Sequence, residues 1–89
     1  MKIWKFGLPP HPRAIVEMPA GAEVLSVAEQ KGIVYVWALV DQTAKRVPRL
    51  ISCYLTGDDV PEDPGRFLGT VHVIGTDGHP FVTHYFLEY

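Results

Sequence analysis

Proline and glycine, eight of each in 89 residues, cut this chain into short pieces and leave no room for a long helix. Lys2–Phe6 is apolar-alternating and reads as a first strand. Pro9, Pro10 and Pro12 then crowd the Leu8–Arg13 segment, a composition that favours extended polyproline geometry and forbids helix. Ala14–Met18 reads as a short second strand, closed by a Pro19-Ala20-Gly21 turn. Ala22–Gln30 and Ile33–Asp41 are period-two runs flanking Lys31-Gly32, the pattern of a hairpin. Ala, Glu, Leu and Gln would also suit a helix over Ala22–Gln30, but Val24, Val27 and the strand pattern that follows favour a strand. Gln42–Arg46 is a polar connection, and Val47–Thr56 is a long fifth strand with Pro48 at its start. Gly57–Gly65 is an acidic loop ending in Asp63-Pro64-Gly65-Arg66, which suits a type II turn. Phe67–Gly75 and Pro80–Glu88 form a last hairpin across Thr76–His79. Seven short strands in one domain, residues 1–89, predict an all-β antiparallel sandwich or small closed barrel.

Composition narrows the functional classes. The chain is 47% hydrophobic with a formal charge of −2, too apolar and too balanced for a disordered segment. No apolar run approaches the roughly 20 residues of a membrane span, and the opening residues lack the apolar stretch of a secretory signal. The single cysteine, Cys53, forms no internal disulfide, so a cytoplasmic location is the expectation. A domain this small buries only about 60–65% of its unfolded surface, yet the chain carries four Phe, four Tyr and two Trp. Those rings either pack a dense core or leave an apolar face for a partner, and self-association is expected.

Ile33–Asp41 is the most informative segment. Tyr35, Trp37 and Leu39 share one face of the strand, while Val34, Val36, Ala38 and Val40 share the other. Neither face is polar, so both call for cover. A two-residue turn at Lys31-Gly32 sets Ala28 opposite Tyr35 and Ser26 opposite Trp37, leaving concavity beside the rings. A three-residue turn with a bulge would place Val27 and Leu25 there instead. Core packing is the first reading of Tyr35 and Trp37; an oligomer interface or a ligand-stacking platform are the alternatives.

Candidate chemistry is sparse. Cys53 lacks basic sequence neighbours that would activate a thiol, and reads as structural. His72 and His84 lie on the last hairpin, directly opposed across a three-residue loop or on opposite faces with a four-residue one. Two imidazoles without further ligands make no metal site, so no metal or cofactor is expected. For His84 a hydrogen-bonded structural role is the default, and a polar anchor in a pocket the functional alternative. Lys45, Arg46 and Arg49 form a basic cluster; nucleic-acid binding is not expected of a slightly acidic chain, but Arg46 and Arg49 could hold a small anionic ligand. The acidic loop lacks EF-hand spacing. No phosphate-cradling loop or nucleophile elbow is present, so an enzyme is not expected.

Several segments together carry a resemblance. They are Met1–Lys5 (Met-Lys-Ile-Trp-Lys), Glu17-Met-Pro-Ala-Gly-Ala22, Leu25–Val27, Trp37-Ala-Leu-Val-Asp41, Thr56-Gly57, Pro64-Gly65, Gly69–Val71 and Phe81–His84. In these the chain resembles a family of short uncharacterised proteins of bacteriophages and prophages, over nearly its whole length. The Leu8–Arg13 segment with its three prolines departs from that pattern. The resemblance implies no catalytic residue and a protein that acts by binding. The resulting expectation is a non-enzymatic, oligomeric binding protein that engages a host component through Tyr35 and Trp37, with Arg46, Arg49 and His84 as secondary candidates. Two alternatives are a sponge for an anionic nucleotide-like signal at a subunit interface, and a self-assembling virion accessory protein.

Overall fold

A computed structural model describes residues 1–89 as seven antiparallel strands in two sheets. The strands are β1 (Lys2–Gly7), β2 (Arg13–Pro19), β3 (Glu23–Gln30), β4 (Ile33–Val40), β5 (Arg46–Leu55), β6 (Arg66–Ile74) and β7 (Pro80–Leu87). One sheet runs β1-β4-β3 and the other β2-β5-β7-β6. The two layers make a slab of 41 × 32 × 16 Å, a thin sandwich rather than a closed barrel. Each boundary lies within a residue of the period-two reading, and Ala22–Gln30 is strand from Glu23 onward.

The β3–β4 hairpin shows why. Lys31 and Gly32 both take positive φ, 52° and 84°, as a type I′ turn requires. The turn sets Gln30 opposite Ile33, Ala28 opposite Tyr35 and Ser26 opposite Trp37. A bulge at Leu25 then restores Val24 to the inner face, opposite Ala38. The two-residue turn is the one formed; the alternative three-residue turn with its bulge, which would set Val27 and Leu25 opposite the rings, is not, and the bulge present lies further along at Leu25.

The core lies between the sheets. Val24, Val36, Ala38 and Val40 come from the three-stranded sheet; Ala14, Val16, Met18, Ile51, Val71, Tyr85 and Leu87 come from the other. Its side chains are mostly small, and Met18 and Ile51 are the largest that are fully enclosed. Of all the aromatic residues only Tyr85 is buried. Along one edge β3 lies over β6, where Gly69 occupies a bulge at φ 155°. A Cβ there would stand 3.0 Å from Val27 Cγ1. The Arg66 guanidinium donates to the Val24 carbonyl and ties the same edges together.

The last hairpin departs from both loop lengths considered from sequence. Ile74 pairs with Pro80 around a five-residue loop, Gly75–His79. Gly75 N–H donates to His79 O (2.8 Å), and the His79 N–H donates to Asp77 Oδ1 (3.0 Å). His72 consequently pairs with Val82, and His84 with Thr70. The two histidines share a face but are offset along it, neither directly opposed nor on opposite sides.

Candidate functional site

The outer face of the β1-β4-β3 sheet carries an open apolar surface. Residues opposite one another in antiparallel strands project to one side. The β4 residues Tyr35, Trp37 and Leu39 stand opposite Gly7, Lys5 and Ile3 of β1. On the far side they stand opposite Ala28, Ser26 and Glu23 of β3. Alternation sends Val36, Ala38 and Val40 into the core, all at 0% exposure, so the rings point the other way. The Tyr35 and Trp37 centroids lie 6.0 Å apart, tilted by 56°. Both rings are half-buried by neighbours on their own sheet, and no second layer covers them. Reading Tyr35 and Trp37 as core is therefore corrected: they line the exterior of the sandwich.

Small neighbours shape this face. The Tyr35 ring lies over Gly7, where a Cβ would sit 3.6 Å from Cε1. Ala28 flanks the ring on the other side. Lys5 reaches across, its Nζ 4.5 Å from the Tyr35 centroid and donating to Gln30 Oε1 at 3.1 Å. Ile3, Leu25 and Ile33 extend the apolar strip, and each is more than 40% exposed.

The other sequence candidates do not join this surface. Arg46 sits at the sandwich edge, its guanidinium 5.6 Å from the ring of Trp4 and bonded to Glu17 O. Trp4 lies opposite Ala38 and so belongs to the inner side of β1. Arg49 pairs with Val16 and donates to the Ala22 carbonyl at 3.3 Å. Their forked donors thus point at backbone and ring within the molecule, away from Tyr35 and Trp37. His84 lies on the outer face of the opposite sheet, where both nitrogens are engaged: Nε2 with Thr56 Oγ1 (2.8 Å), Nδ1 with Thr70 Oγ1 (3.0 Å). That is the hydrogen-bonded structural role. The five candidates therefore occupy three separate regions.

Two features escaped the sequence reading. Tyr54, Phe86 and Phe67 form a second aromatic cluster on the outer face of the four-stranded sheet, with centroids 5.8 and 5.4 Å apart. The alternation of Val82, His84 and Phe86 along β7 was the available signal. Beside that cluster, Arg13 binds Glu88 through two bonds of 2.8 Å, and the Ser52 hydroxyl donates to the same carboxylate. The second feature is a cleft of about 580 Å3 between the sheets, under Leu8–Pro12, with Cys53 in its lining. Burial pushes the Cys53 thiol above its ordinary value, so the group is a thiol and not a nucleophilic thiolate.

No three His, Cys, Asp or Glu side chains gather where a cation could be held. No helix is long and apolar enough to cross a membrane. No curated protein and no solved structure matches the chain. Residues 1–89 match throughout the family described as a domain of unknown function (DUF7352), and the chain belongs to that family.

Proposed function

We propose that this protein is a non-enzymatic binding module that assembles with a second copy of itself through the outer face of its three-stranded sheet. The observation that carries the reading is the uncovered Tyr35–Trp37 pair, continued by Ile3, Leu25, Ile33 and Leu39 into one apolar strip. Tyr and Trp are favoured at interfaces because they bury large areas with few rotatable bonds. A two-fold axis along β4 stacks β1 of one copy over β3 of the other and sets the two Tyr35–Trp37 pairs face to face.

In the cell the assembled module engages a host component, in the cytoplasm, as a phage- or prophage-encoded protein; the motif resemblance supports this part. A nucleotide sponge is not favoured, because Arg46 and Arg49 lie away from the Tyr35 and Trp37 rings and could not hold the phosphate of a base stacked there.

Sedimentation over a concentration series, with wild type and Trp37→Ser, tests the assembly. Wild type is expected to associate reversibly. Trp37→Ser is expected to weaken association by about 2 kcal/mol, roughly thirtyfold in dissociation constant, with its melting temperature little changed. A wild type that stays monomeric throughout, or a variant that associates equally well, overturns the proposal.

A further inference from the structure

The β1–β2 connection crosses from one sheet to the other and roofs an end of the sandwich that the sheets leave open. Leu8 N–H donates to Val34 O (2.8 Å) on the three-stranded sheet, and Cys53 N–H donates to Pro12 O (2.8 Å) on the four-stranded one. Between these anchors stand Pro9, Pro10 and His11, with the His11 N–H folded back on Pro9 O at 2.7 Å. Pinned at both ends and stiffened by proline, the segment forms a rim that needs little ordering when a ligand arrives.

Beneath it the four-stranded sheet runs beyond the β3–β4 turn. Residues alternating with its outer face continue the inner surface past the core: Leu55 on β5, Val73 on β6, Phe81 and Thr83 on β7. Leu55 and Phe81 are each 43% exposed although they point inward, because no strand of the other sheet reaches them. The space left is the cleft of about 580 Å3, within the ordinary range for small-molecule sites. Its floor presents the Tyr85 hydroxyl and the Cys53 thiol. Burial pushes both groups above their ordinary values, so both are neutral at physiological pH. No lysine or arginine lines the cleft, and the one carboxylate there, Asp58, accepts from Leu55 N–H at 2.9 Å. Apart from the imidazole of His11 on the rim, no side chain of the lining carries a basic group that could hold an anion.

We propose that this cleft is a binding site for a small, uncharged, largely apolar molecule, whose single polar group meets Tyr85 and Cys53 while its body lies against Leu8, Leu55, Val73 and Phe81. The cleft meets the sheet face through which copies are proposed to assemble only at Ile33; Tyr35 and Trp37 lie outside its lining.

N-phenyl-1-naphthylamine, an uncharged aromatic fluorophore with one N–H, is a suitable probe. Titration into the full chain is expected to give saturable enhancement with one site per chain. Leu55→Glu, which places a carboxylate in the lining, is expected to weaken that binding about tenfold or more. Trp37→Ser, which alters the apolar face of the three-stranded sheet outside the cleft, is expected to leave binding intact. A second readout uses no variant: saturation with the probe is expected to slow alkylation of Cys53 by N-ethylmaleimide severalfold. Absence of saturable binding, binding that disappears with Trp37→Ser, or Cys53 alkylation unchanged by the bound probe overturns the proposal.

Discussion

Glu88 shows how one residue can couple two distant parts of the chain. Its carboxylate takes two bonds from Arg13 of β2 and one from Ser52 of β5, and these hold its pKa down from 4.5 to about 2. The side chain remains 24% exposed and Arg13 63%, so screening by solvent limits what the pair contributes. The folded-state pKa is depressed, so this stabilisation is present above pH 4.5 and is lost as the pH falls toward 2. A series of melting temperatures over that window is expected to decline for wild type and to flatten for Glu88→Gln. Asp41, bonded by the Thr43 hydroxyl, and Asp77, bonded by the His79 backbone, are shifted the same way, so some decline should survive the substitution. An identical decline in wild type and Glu88→Gln would show that the Arg13–Glu88 pair contributes nothing.

Among the elements, the β3–β4 hairpin and the β6–β7 hairpin mark the limits of legibility in the sequence. Two period-two runs flanking Lys31-Gly32 mark a hairpin but leave a two-residue and a three-residue turn open, and the two-residue turn is the one formed. Lys31 takes its left-handed conformation without the help that Asn or Gly would have there. Lys31→Asn is accordingly expected to stabilise the fold by about 0.5 kcal/mol, read as a shift in the urea midpoint. An unchanged or lower midpoint would mean that the turn is not under backbone strain. The Gly75–Pro80 region holds glycine, aspartate and proline at positions compatible with loops of several lengths. Backbone bonds between Gly75, Gly78 and His79, together with the Asp77 side chain, select the five-residue form. Local pattern does not carry that choice. The same holds for Gly69: only the approach of β3 over β6 explains why a side chain is excluded there. Gly69→Ala meets Val27 Cγ1 and an unfavourable φ, and is expected to cost about 1–2 kcal/mol. Retention of the wild-type midpoint by Gly69→Ala would contradict the close β3–β6 packing.

For the molecule as a whole, the division of apolar residues decides what the protein can do. Sixteen of 89 residues are buried, and the large rings stand mostly outside the core. The two-sided apolar character of β4 was legible from alternation alone; which side met the core was not, because both sides are hydrophobic. The structure encloses Val36, Ala38 and Val40 between the sheets at 0% exposure and leaves Tyr35 and Trp37 on the outer side, while Tyr85 and Trp4 show that rings are also taken inward where neighbours are small. Arg46, Arg49 and His84 could not be placed from sequence because their partners, Trp4, Ala22, Thr56 and Thr70, lie far from them along the chain. So small a core is sensitive to volume. Met18→Ala, at a site with 0% exposure, is expected to cost about 2–5 kcal/mol and to unfold much of the population at physiological temperature. A melting temperature close to wild type would contradict that view of the core.

The account depends most on the indole of Trp37 being covered by a second copy when the protein assembles. Acrylamide quenching of a Trp4→Phe variant, whose remaining tryptophan is Trp37, reads that directly. The quenching constant is expected to fall as protein concentration rises, in step with association. A constant that stays high and independent of concentration would contradict it.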